Sequence, residues 1–124
     1  MNLVPFYDLL KTKMPSDQLF VFHMPEKLNF GILLLHNLGG AKLDPHLPGY
    51  KKGKLQIIVR SSDFESGYAK AVQVMDIFKV IKRQAQGNVF FHFIEPLHDP
   101  VAFPASKGNF IEFSVNFLTA YTET

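Results

Sequence analysis

The stretch from Pro48 to Glu65 constrains the fold of this chain more than any other. Glycines at 49 and 53 punctuate a turn. Leu55, Ile57 and Val59 then alternate with Lys54, Gln56, Ile58 and Arg60, which predicts a strand with one face in a core. Ser62 and Glu65 follow at capping-box spacing, where the serine hydroxyl accepts from the third helical N–H and the glutamate reaches back. The helix so started places Phe64, Tyr68, Ala71, Val72, Met75 and Phe78 on one side, with Val74, Ile77 and Ile81 widening the stripe. Lys82 and Arg83 in its last turn would oppose the helix dipole, and Gly87 would serve as its C-cap. At about twenty residues it would span roughly 30 Å.

The remaining elements are read around this spine. Leu3, Phe6, Tyr7, Leu10 and Met14 recur at spacings of three and four, predicting a helix over residues 2–14 with Pro5 in its first turn and Pro15 as its stop. Such a helix is too short to stand alone, so it must dock on the body of the protein. Leu19 to His23 and Phe30 to His36 read as two strands, open to pairing as a hairpin across residues 24–29. Asn37 to Gly53 shows little periodicity and reads as a long loop, either solvated or ordered on assembly. Val89 to Ile94 would put Val89, Phe91 and Phe93 on one face. Asn109 to Phe117 would put Ile111, Phe113, Val115 and Phe117 on one face, against Glu112, Ser114 and Asn116 on the other. The connection from Glu95 to Gly108 carries three prolines and cannot be a tight turn. The expected order is α-β-β-β-α-β-β: an α+β fold with a single mixed, mostly antiparallel sheet packed by two helices, in one domain over residues 1–124.

Composition narrows the function more by exclusion than by assertion. A chain of 124 residues, 47% hydrophobic, can bury a core without metal or disulfide help. Thirteen phenylalanines point either to a Phe-heavy core or to more rings than one small interior encloses, and surplus rings outside would mark a partner surface. A formal charge of +2 is too small to imply nucleic-acid binding by field alone. With no cysteine there is no disulfide framework, thiolate nucleophile or thiolate metal site. Met1 to Asp8 lacks a basic leader and no apolar run has the length of a membrane span, so the expectation is a protein neither secreted by the usual route nor embedded in a membrane.

Chemistry-bearing constellations are not found. His36, His46, His92 and His98 could be brought together with Asp44 or Asp99, but no pair has helical ligand spacing, and hydrogen-bonded structural roles fit better. No Gly-x-Ser-x-Gly elbow occurs, and Gly39-Gly40 belongs to neither a P-loop nor a dinucleotide fingerprint. The expectation is a protein without cofactor, metal or catalytic residue. Lys51, Lys52 and Lys54 cluster beside Tyr50, either simply solvated or facing an acidic protein or DNA backbone, where contacts carry no sequence specificity.

Two segments carry a family resemblance. Pro48-Gly49-Tyr50-x-x-Gly53-x-Leu55-Gln56-Ile57-Ile58-Val59-Arg60 leads into Asp63-Phe64-Glu65-x-Gly67, and Phe103-Pro104-Ala105-Ser106-x-Gly108-Asn109 leads into Phe110-Ile111-Glu112-Phe113-Ser114-Val115-Asn116-Phe117. Over roughly residues 45–121 the chain resembles the tail-terminator and minor capsid proteins of long-tailed bacteriophages. The resemblance implies a ring, expected to be a hexamer, that caps the tail tube, ends its polymerisation and forms the head–tail joining interface of the virion. Its partners would be further copies of itself, the tail tube protein and a head completion or connector protein. DNA would pass non-specifically through the lumen, no membrane would be involved, and assembly would take place in the host cytoplasm. From exposure and chemistry, rather than from the resemblance, Leu47, Tyr50 and Phe103 are expected at subunit or partner contacts, and Phe6 and Tyr7 are grouped with them while also helping to dock the first helix. Lys51, Lys52 and Lys54 are expected to face the channel or tube. The alternatives are another head–tail connector or adaptor, an enzyme or small ligand-binding domain with a Phe-lined pocket, and a single-strand nucleic-acid binder stacking bases on Phe90 or Phe110.

Overall fold

The computed structural model describes residues 1–103 and 110–124. Its elements run α1 (Val4–Lys13), β1 (Leu19–Val21), β2 (Gly31–His36), β3 (Lys42–Leu43), β4 (Tyr50–Ser61), α2 (Phe64–Lys79), β5 (Lys82–Gln86), β6 (Val89–Pro96), β7 (Val101–Phe103) and β8 (Ile111–Glu123). All the strands join one sheet, ordered β1-β2-β4-β8-β6-β5, with β3 also on β4 and β7 also on β8. The expected α+β class, with one mixed sheet and two helices, is the observed one.

The sheet is built on its two longest strands. β4 and β8 pair antiparallel from Tyr50 opposite Thr122 to Ser61 opposite Ile111. Along the free side of β4 lie β2 and then β3; along the free side of β8 lie β6 and then β7. The expected alternation holds on β4, where Leu55, Ile57 and Val59 are buried, opposite Phe117, Val115 and Phe113 of β8. Ile32 and Leu34 of β2 and Phe91 and Ile94 of β6 extend this apolar face. α1 supplies Phe6, Leu9 and Leu10 to it, and α2 supplies Ala71, Val74 and Phe78. Burying each large side chain is worth roughly 1.5–3 kcal/mol. Edge-to-face ring contacts, Phe6 to Phe91 at 4.9 Å and Phe78 to Phe117 at 5.4 Å, pin both helices in place.

The opposite face of the sheet is polar in its middle. Gln56 Nε2 donates to Ser114 Oγ at 3.0 Å, and Arg60 Nε meets Glu112 Oε2 at 3.0 Å. Residues 22–30 arch over one end of this face, where Arg60 Nη1 donates to the Pro25 carbonyl at 2.8 Å.

Several local expectations are corrected. α2 is capped by Asp63, not Ser62: the Asp63 carboxylate accepts from the Ser66 N–H at 3.0 Å, while Ser61 still belongs to β4 and its hydroxyl accepts from the Asp63 N–H. The helix stops at Lys79, so Lys82 and Arg83 lie in β5. Gly87 is therefore not a helix cap. Its φ of +61° places it at the first central position of the β5–β6 turn, as a type II′ hairpin requires. β1 and β2 are parallel neighbours, Leu19 opposite Ile32, and so form no hairpin; the segment between them swings back across the sheet to begin β2 beside the start of β1. The expected loop from Asn37 to Gly53 contains β3 and the first turnless residues of β4. On β6 a register shift between Phe91 and Phe93 turns Ile94 inward instead of Phe93. β8 runs on to Glu123, well past Phe117. Within the Glu95–Gly108 connection the structure forms β7; residues 104–109, with the expected strand start at Asn109, lie outside the described residues.

Candidate assembly surfaces

The first surface is built by β3 and the start of β4. Side chains alternate across a strand, so Lys52 and Lys54 point away from the core. Lys42 of β3 stands directly opposite Lys52, which puts three lysines on one face. None of the three is in an ion pair among the described residues. Like charges set opposite each other across strands destabilise the pairing, so this row stabilises nothing within the subunit. Beside it Leu43 and Leu47 are exposed, at 66% and 54%. Asp44 fixes the turn between them by accepting from the His46 and Leu47 N–H groups at 2.8 and 3.0 Å. Tyr50 is half-buried, its ring 5.3 Å from that of His92, and His92 in turn sits 5.1 Å from the exposed Phe90. His92 Nε2 lies 2.7 Å from Thr122 Oγ1, a structural role for this histidine.

The second surface lies across the sheet, on the β8 side. From the end of β6 through β7, Glu95, Leu97, Asp99, Val101 and Phe103 are all exposed. The arm is tied down from beneath: the Leu97 N–H donates to the Asn116 carbonyl at 2.8 Å. The Asn116 N–H and side-chain amide donate to His98 Nε2 at 3.3 and 3.0 Å, and the proton on His98 Nδ1 goes to the Asp99 carbonyl. Held this way, the arm presents leucine, valine and phenylalanine beside two carboxylates free of ion pairs among the described residues. β3 lines the outer side of β4 and β7 the outer side of β8, so the two margins lie on opposite sides of the β4–β8 pair.

The residues singled out from the sequence divide accordingly. Leu47 and Tyr50 meet on the first surface and Phe103 lies on the second. Phe6 docks α1 as expected but is corrected as an interface residue: it is fully buried against Phe91 and Tyr121 and offers nothing to a partner. Tyr7, half-buried and packed on the same core, also serves docking. Lys51 is corrected too. It points to the other face of the sheet from Lys52 and Lys54, where its Nζ pairs with Glu123 at 3.1 Å. The lysine that completes the row is Lys42, and its signal in the sequence was weak because β3 is only two residues long. Phe110 has the Arg60 guanidinium 5.6 Å over its ring, which occupies a face that a base would need.

A cleft of about 520 Å³ opens between the start of α2 and residues 27–32. Its charged side chains are largely committed to protein partners: Arg60 to Glu112 and backbone carbonyls, Lys70 to Asp17 at 3.0 Å. Among the described residues the one strongly shifted titration is that of Tyr121, pushed up to about 12 by burial and then by the neighbouring Glu123 charge. Among the described residues no cluster of three or more histidine or carboxylate side chains is placed to hold a metal, and no helix is long and apolar enough to cross a membrane.

Comparison with known proteins bears on these surfaces. A family model described as bacteriophage tail terminator protein matches residues 8–123. A chain in a solved structure titled "Virion of native gene transfer agent (GTA) particle" shares the fold at a TM-score of 0.70 and 14% identity, over 94% of this chain and 90% of that one. No curated protein matches the sequence.

Proposed function

Because the chain belongs to the bacteriophage tail terminator family, as a phage tail structural protein of the virion, we propose that it forms a ring, expected to be a hexamer, that caps the tail tube and ends its growth. The observation that carries this reading is the family match across nearly the whole chain, joined to two unlike exposed margins on either side of the β4–β8 pair. A ring of identical copies requires head-to-tail contacts between two different patches, which a two-fold dimer does not. Tube rings stack because the upper face of one fits the lower face of the next. A terminator fits the tube on one face and refuses another tube ring on the other. The other face then serves a head completion or connector protein, and DNA passes through the lumen without sequence-specific contact.

Within this reading Leu47, Tyr50 and Phe103 lie at contacts with neighbouring copies or partners, and Lys52 and Lys54 face the channel or tube. No step of this function makes or breaks a bond. The test is deletion of the gene in its phage, with tails measured by negative-stain microscopy. The expected result is headless tails of abnormal, extended length. Tails of normal, uniform length in the deletion strain would overturn the proposal.

A further inference from the structure

We propose that the seam between neighbouring copies is formed by the β3 margin of one and the β7 arm of the next. This inference rests on the ring reading above. The argument starts from charge. Lys42 and Lys52 face each other at cross-strand distance, with neither in an ion pair among the described residues, a cost that a neighbour carrying carboxylates would relieve. Carboxylates without ion pairs among the described residues lie on the arm, at Glu95 and Asp99.

Apolar surface matches as well. Leu43 and Leu47 stand beside the lysines, and Val101 and Phe103 beside the carboxylates, each about half exposed or more. Position completes the case. The two margins lie on opposite sides of the β4–β8 pair, so the contact repeats from copy to copy instead of closing on itself as a dimer. Exposed strand margins of this kind are ordinarily shielded by charge or short length, and β3 and β7, at two and three residues, are short. At the outer end of β4, Lys52 and Lys54 keep the channel-facing place proposed above, with Lys52 on the rim of the seam.

The natural absence of cysteine makes the seam directly testable. Leu43→Cys and Val101→Cys are introduced singly and together, and treated with a short bismaleimide in concentrated protein and in tails purified from phage. The double variant should give a ladder of crosslinked species beyond the dimer, while each single variant gives no species larger than a dimer. Lys42→Glu in the double variant should reduce the ladder roughly tenfold, and adding Asp99→Lys should restore it. Rings visible by native mass spectrometry or microscopy without a ladder would overturn the seam and leave the ring reading standing. No ring in either setting would overturn both. A ladder indifferent to the two charge reversals would overturn the charge pairing on which the seam is argued.

Discussion

Gly67 sits where α2 crosses β8, and a Cβ there would meet the Phe113 ring and lie 2.8 Å from the Ser61 Cβ. Alanine favours a helix over glycine by about 1 kcal/mol, but overpacking a core costs roughly 1–3 kcal/mol, and here neither obstacle can swing aside. Gly67→Ala should therefore lower the urea midpoint instead of raising it. Tyr121 poses the opposite case. Its hydroxyl is buried with no hydrogen-bond partner among the described residues, so Tyr121→Phe should leave stability unchanged or raise it by about 1 kcal/mol at pH 7. The alkaline limb separates this from other effects. The phenol ionises near 10 when unfolded and about 12 when folded, so the unfolded chain releases its proton first as pH rises. The stability tied to Tyr121 is fully present below pH 10 and lost through pH 12, at about 1.4 kcal/mol per pH unit. Chemical denaturation across that window should show a shallower loss in the phenylalanine variant than in the wild type.

At the scale of elements, the start of α2 offers a direct comparison. Asp63→Ala should cost about 1 kcal/mol because it orphans the Ser66 N–H, whereas Ser62→Ala should fall within about 0.5 kcal/mol. Thermal unfolding of the two variants, side by side, measures this. The capping-box spacing pointed to the right junction but the wrong residue, because Ser61 is the last paired residue of β4 and the chain leaves the sheet only after it. β4 was legible since its alternation is strict and one face is buried. The β1–β2 pairing was not: direction depends on the path of residues 22–30, and that path is set by contacts such as Met24 against Gly31, which no periodicity records. The inward turn of Ile94 was hidden for a related reason. A bulge changes the phase of a strand without changing its composition. The proposed contact surfaces were half legible: Leu47, Tyr50 and Phe103 stand out by type, while Lys42, Glu95 and Asp99 are brought into place only by the sheet that arranges them.

For the whole molecule, ten of the thirteen phenylalanines fall at two extremes, with Phe20, Phe93 and Phe110 between them. Phe6, Phe78, Phe91, Phe113 and Phe117 are fully buried, and Phe22, Phe30, Phe64, Phe90 and Phe103 are exposed. The interior does not use all of its rings, as the composition suggested. The two populations should separate experimentally. Phe6→Ala should cost about 3–5 kcal/mol in a denaturation curve, as for a ring removed from a packed core. Leu47→Ser together with Phe103→Ser should leave that curve within about 0.5 kcal/mol per site, yet abolish rings in electron micrographs and yield elongated tails in a complementation assay.

The long β4–β8 ladder also gives the subunit a mechanical grain. Its twelve opposed residue pairs run in one unbroken line through the centre of the sheet. Tension applied along that line, gripping the far end of one strand and the near end of the other, loads the rungs simultaneously; tension across it opens them one by one like a zip. A subunit with this build withstands stretching in one direction far better than tearing in the other, and the orientation of its strands within a particle determines which of those forces it meets.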